Sequence, residues 1–340
     1  MVLIGSDRFI EHQTPGGHPE QPARARVMQE VSRRWVERGG ALRPPRPATR
    51  AELVQVHTPA YVDQIAATAG RGVRLDPDTY ASAESYDVAL HAVGATIVAV
   101  EHALAECTSA IAFVRPPGHH AEQDRAMGFC LFNNVAVAAA SARATGLDRV
   151  AVLDYDVHHG NGTQWMFYDD PSVLYVSLHQ YRFYPGTGAL TDVGRGDGIG
   201  CTLNVPLEAG AGDADYDRAM RELVGPVVTA FAPELILLSA GYDAHGRDPL
   251  GGMRLSTEGY AAMTAHVQRL AASCCDGRLA AVTEGGYDLR ALDACLESTL
   301  TQLAEDPPTS ATSVTGDTSR IDRVIPAVRR ALGPYWPGVL

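Results

Sequence analysis

The chain has 340 residues, 46% of them hydrophobic and 20% charged, which is ample for a large core and unlike a disordered segment. Its formal charge of −12 argues against binding nucleic acid through backbone phosphates. It contains no lysine, as a GC-rich genome would produce, and this excludes Schiff-base enzymes and P-loop nucleotidases, which need that amine.

The opening MVLIGSDRF has too few apolar residues for a signal peptide, and no later run reads as a membrane span. An Ala/Val-rich helix is predicted over 84–106. Short apolar runs rich in branched residues then predict buried parallel strands at 110–114, 150–153, 173–178, 235–240 and 279–283. Between them, helices are predicted over 133–146, with Gly146 just past its end, and over 215–231. The segment 304–320 is expected to be a surface loop, and 321–340 a short amphipathic tail. The alternation predicts one α/β domain over 1–340, a parallel sheet with helices on both faces. Six cysteines, at 107, 130, 201, 274, 275 and 295, lack zinc-finger or redox spacing. They read as reduced core thiols of a cytoplasmic protein.

Ligands gather at the carboxyl ends of parallel strands. There the sequence places RPPGHHA, DYDVHHGNG, HQYRFYPGTG, GYDAHGRDPLGG and EGGYDL, one after each predicted strand. In an extended chain Asp154, Asp156 and His158 point to one side. Asp156 and His158 could clasp a divalent ion, with Asp243 as third ligand; open positions would then mark a catalytic site. Zn²⁺ and Fe²⁺ both suit such a set. A divalent ion lowers the pKa of its water from about 16 to roughly 7. His119 and His120 could supply the base and the acid, oriented by Asp154 and Asn161. Tyr287 could donate a hydrogen bond to an oxyanion.

On these motifs, together with GGHPEQPARARV (16–27) and GFCLFNNVA, the chain resembles the zinc-dependent histone deacetylase family, which includes the acetylpolyamine amidohydrolases. The resemblance implies an arginase-deacetylase-like α/β fold with an eight-stranded parallel sheet flanked by helices. It implies zinc on Asp156, His158 and Asp243, His120 as general base, His119 held protonated by Asp154, and Tyr287 polarising the carbonyl. It further implies that Gly128 turns its carbonyl to the substrate amide and that Phe129 and Tyr184 wall an acyl-lysine tunnel. A structural K⁺ or Na⁺ would sit at Asp154, Asp156, His158, Ser177 and Leu178. Asn161 stands where class I members carry aspartate, so the chain looks class II-like. Leu250 is not the glutamate of the polyamine-selective enzyme, which weakens a polyamine reading. The implied reaction is removal of acetyl or acyl groups from the ε-amine of lysine, in a peptide or protein, or from a similar primary amine. Selectivity would come from rim loops 11–24 and 74–86, with Asp76 and Asp78. The alternatives are a small-molecule N-acetyl amidohydrolase, a two-manganese ureohydrolase and a non-catalytic acyl-lysine reader.

Overall fold

Eight parallel strands form the central sheet of the computed structural model, which describes residues 1–307 and 313–340. They are β1 (Val2–Ile4), β2 (Ala41–Arg43), β5 (Ser109–Ala112), β6 (Val150–Asp154), β7 (Val173–Gln180), β8 (Thr202–Leu207), β9 (Leu235–Ala240) and β10 (Leu279–Thr283). A two-stranded hairpin, β3 (Val73–Arg74) with β4 (Tyr80–Ala81), stands apart. The order across the sheet is β2-β1-β5-β10-β9-β6-β7-β8. The five strands legible as apolar runs are the five in the middle. Each is buried along its whole length, because helices cover both faces.

The order explains why loops distant in sequence meet. β9 and β10 come late in the chain but insert between β5 and β6. The five polar loops therefore leave from five adjacent strands, all at their carboxyl ends. Two apolar clusters back the sheet, one centred on Leu153, Val176 and Leu238, the other on Val93, Val135 and Val152.

Several expectations change. The predicted helix over 215–231 is a helix from Asp213 to Ala219, a π-turn over Met220–Val224, and a second helix from Gly225 to Phe231. Pro226 has no N–H to offer the Glu222 carbonyl and its ring crowds it, so the wider turn absorbs the mismatch. The helix Ser85–Glu106 is, against expectation, long and apolar enough to cross a membrane. It lies instead against the sheet and the helix Asn134–Ala144, with Val88, Ala92, Ala95 and Ala99 buried. Gly146 follows that second helix at φ +104°, the left-handed position glycine tolerates. The helix Leu289–Ala304 reaches the start of the expected 304–320 loop, and 308–312 of that loop lie outside the described residues. The expected tail is a helix, Ile321–Leu332, that buries Ile321, Ile325, Val328 and Leu332. Its i, i+4, i+7, i+11 spacing packs one face beside edge strand β8. All six cysteines are free, but only Cys130, Cys275 and Cys295 are buried.

Candidate active site

Strand geometry stops at Asp154, so the predicted straight alternation through His158 does not hold. Two side-chain turns replace it: Asp154 Oδ1 accepts from the Asp156 N–H at 3.1 Å, and Asp156 Oδ1 from the His158 N–H at 2.9 Å. Carboxylates capping the backbone two residues on bend the chain this way. The bend brings Asp156 and His158 to Asp243, at the mouth of neighbouring β9. One ligand atom from each lies within 4.8 Å of the others, and all three residues are buried. His158 Nδ1 is 3.1 Å from both Asp156 Oδ1 and Asp243 Oδ2. The remaining oxygens are anchored: Asp156 Oδ2 accepts from Gly285 N at 2.8 Å and Asp243 Oδ1 from Val157 N at 2.8 Å.

This donor set fits a divalent cation. Two buried carboxylates this close repel, and burial together with Asp156 pushes the Asp243 carboxyl up to about 7. Burial opposes charge on His158, yet the two carboxylates outweigh it and raise the imidazole to about 10. The cluster thus calls for positive charge at its centre. The backbone is pressed against it as well. A Cβ at Gly285 would stand 2.1 Å from Asp243 Oδ2, and one at Gly241 2.0 Å from Asp156 Oδ2.

The loop after β5 brings the histidine pair. Gly118 and His119 donate their N–H groups to Glu284 Oε2, at 2.7 and 3.2 Å, tying this loop to the end of β10. His119 Nδ1 lies 3.0 Å from Asp154 Oδ2, and His120 Nδ1 lies 2.7 Å from Asn161 Oδ1. The two rings are 4.0 Å apart yet have opposite electrostatics. Burial disfavours charge on His119, but Asp154 and Asp156 prevail and raise it to about 10. Burial, with His119 and His158 alongside, holds His120 well below the usual imidazole range.

A cavity of about 260 Å³ opens over this floor. His120, His158 and Tyr287 face its base; Gly128, Phe129, Tyr184, Leu250 and Asp78 line its sides and rim. Gly128 has φ +56°, and a Cβ there would sit 2.4 Å from the His120 ring, so only glycine fits. Tyr287 is 8% exposed, and burial holds its phenol protonated. Asp248 fixes two lining residues at once, accepting from Tyr287 N at 2.6 Å and Leu250 N at 2.9 Å. Ser177 and Leu178, assigned by resemblance to a monovalent cation with Asp154, Asp156 and His158, lie on β7 beside β6, with Ser177 opposite Asp154.

Sequence reasoning missed several contributors. Phe183 stacks on His158, ring centroids 5.5 Å apart at 16°, and forms the inner wall, while Tyr184 is 38% exposed nearer the mouth. Its signal was available, as the aromatic beside Tyr184. Arg24 lies behind Tyr287, its guanidinium 5.1 Å from the ring centroid, and donates to the Gly286 and Glu284 carbonyls. His57 donates from Nδ1 to the Glu122 carbonyl at 3.0 Å and accepts from Asn133 N at 3.0 Å. No local pattern links these pairs.

Burial pushes His57 down to about 4. An unfolded imidazole takes its proton near pH 6.5, so the unfolded state binds more protons between 6.5 and 4. His57 therefore contributes stability that is full above pH 6.5 and lost as pH falls towards 4, on the order of 3 kcal/mol. Urea unfolding at pH 7.5 and 4.5 should show this loss, and His57→Gln should flatten it; an equal pH slope in the variant would refute the assignment.

Comparison with known proteins agrees with this geometry. Residues 18–303 match the histone deacetylase domain family. A probable deacetylase of Archaeoglobus fulgidus is 39% identical over 292 residues, 84% of this chain and 81% of that protein. A histone deacetylase-like amidohydrolase of Pseudomonas aeruginosa is 40% identical over 288 residues, 82% of this chain and 75% of that protein. Histone deacetylase 15 of Arabidopsis thaliana is 38% identical over 99% of this chain, which spans 62% of that longer protein. The crystal structure of the HDA15 HD domain superposes with a TM-score of 0.91 at 35% identity, covering 100% of this chain and 98% of that one. Family match, sheet and loop chemistry agree: the chain belongs to the histone deacetylase family and is a hydrolytic deacetylase.

Proposed function

We propose that this deacetylase removes acyl groups from the ε-amine of lysine in peptides or proteins, with one zinc ion held by Asp156, His158 and Asp243. The observation that carries the reading is the convergence of those buried ligands with His120 and Tyr287 at the floor of one aromatic-walled cavity. When bound, the ion supplies Lewis acidity to the acyl carbonyl and lowers the pKa of water. His120, its Nδ1 proton committed to Asn161, offers Nε2 to the proton of the attacking water. Tyr287 donates its phenolic hydrogen to the oxygen on which charge grows. His119, kept charged by Asp154, gives a proton to the leaving amine. A K⁺ or Na⁺ ion at Asp154, Asp156, His158, Ser177 and Leu178 belongs to the same proposal as a structural element.

Phe129, Phe183 and Tyr184 would cover the four methylenes of a lysine stem, about 3 kcal/mol at 0.8 kcal/mol each. Two features favour a peptide over a diamine. Leu250 presents an apolar side chain at the rim. Asp76 Oδ1 accepts from the Asp78 and Thr79 N–H groups, at 2.9 and 2.6 Å, and of the two aspartates only Asp78 lines the cavity.

A hydrolysis panel of acyl-lysine peptides and acetylated diamines, with and without a chelator, tests this. Acetyl-lysine peptide should be cleaved faster than acetylputrescine. Chelation should abolish turnover and lower the melting temperature, and Zn²⁺ should restore both. Full activity in chelator would sink the metal assignment, and faster cleavage of acetylputrescine would move the substrate to small amines.

A further inference from the structure

We propose that Glu122 is a positioning residue that sets the proton on His120 by fixing which way the Asn161 amide faces. The inference rests on the reading of His120 as the base. A primary amide has a carbonyl on one side and an NH₂ on the other, and turning it over exchanges acceptor for donors. A neutral Asn161 could thus meet His120 with either group, so its neighbours must choose. Asn161 Oδ1 lies 2.7 Å from His120 Nδ1. Asn161 Nδ2 lies 2.7 Å from Glu122 Oε1, and 3.4 Å from both the His120 carbonyl and Met127 Sδ. Every partner around Nδ2 is an acceptor, and the nearest is the Glu122 carboxylate.

A reversed amide would set its carbonyl against that carboxylate and its NH₂ against His120 Nδ1. His120 would then need a lone pair on Nδ1 and would carry its proton on Nε2, the nitrogen that must be free to receive one. Glu122 thus acts through Asn161 on the tautomer of His120. A carboxylate at 161 would need no such help, since both of its oxygens accept.

Glu122 is itself held in place. Its side chain is 22% exposed, and Arg125 contacts Oε1 at 3.1 Å. Its N–H donates to the Arg125 carbonyl at 2.9 Å, and its own carbonyl accepts from His57. It is not among the residues that line the cavity or form the Asp156, His158 and Asp243 cluster.

The test uses zinc-replete enzyme and an acetyl-lysine peptide. Glu122→Ala should lower kcat about tenfold, part of the 10²–10⁴-fold a positioned base supplies, with KM nearly unchanged. Asn161→Asp in the Glu122→Ala background should recover most of the loss. Ring ¹⁵N shifts of His120 should report Nδ1–H in the native protein and a mixture of tautomers in Glu122→Ala. If Glu122→Ala does not fold, Glu122→Met fills the same space without an acceptor and should give the same kinetics. A kcat within twofold of native, or a double variant no faster than the single one, overturns the inference. His120→Ala separates the two readings: if it keeps activity, the base assignment itself has failed; if it is dead while Glu122→Ala is unimpaired, only the role of Glu122 has.

Discussion

Tyr287→Phe should lower kcat by about 10²–10³-fold, the scale for a lost oxyanion donor, and leave KM within a few-fold. The variant removes one hydroxyl and little else. The ring is held from several sides: Arg24 stacks behind it, Phe129 meets it edge-on at 5.8 Å, and its N–H is pinned to Asp248 at 2.6 Å. A phenylalanine ring keeps these contacts, so folding and the cavity walls should survive. The missing hydrogen bond matters in the transition state, where charge has moved onto the acyl oxygen, more than in the bound substrate. Steady-state kinetics on an acyl-lysine peptide, with zinc content confirmed equal, check this. A variant within threefold of native would remove Tyr287 from the chemistry.

Glu20→Ala should cost about 3–5 kcal/mol of folding stability, a large part of what a typical domain possesses. Glu20, Arg24 and Arg115 are fully buried, and His12 is 1% exposed. One carboxylate serves two guanidiniums: Arg24 Nη1 reaches Oε1 at 3.0 Å, Arg115 Nη2 reaches Oε2 at 2.7 Å, and Arg115 Nε also reaches Oε1. Burial alone would raise the Glu20 carboxyl, but Arg115 and His12 outweigh it and hold it well below the carboxylate range. That folded pKa is depressed, so the stabilisation is present above about pH 4.3, the unfolded value, and is lost only as pH falls through the folded one. Removing the carboxylate strands two charges in the core. Glu20→Gln keeps acceptor oxygen and should cost less. Denaturant unfolding at pH 7 measures both; a Glu20→Ala midpoint equal to native would show that the group carries no stability.

Legibility in the sequence followed burial and locality. The five central strands could be read because both of their faces are covered, leaving unbroken apolar runs. The outer strands could not. β1 is three residues long, β2 is the exposed triplet Ala41–Arg43, and β8 contains Asn204 and Pro206. β8 tolerates a proline because it is an edge strand, where a missing N–H need break no ladder bond. The proposed metal ligands and the histidine pair stood out because their loops concentrate costly groups within a few residues. Their supports did not, because each bond spans long sequence distances: Glu284 to Gly118, Asp248 to Tyr287, His57 to Asn133. Such pairs exist only once the strand order is known.

That order has a consequence for synthesis. As the chain leaves the ribosome, its first six main-sheet strands can form only two separate leaves, β2-β1-β5 and β6-β7-β8, each with one raw inner edge, β5 or β6, that the finished sheet covers. The strands that join them, β9 and β10, emerge last and fill the gap between. Until then Ala110 and Ile111 on one leaf lack their partners Ala280 and Ala281, and Ala151 and Val152 on the other lack Ile236 and Leu237. A nascent chain stalled before residue 235 would carry two unprotected parallel edges, a state prone to sticking to its neighbours.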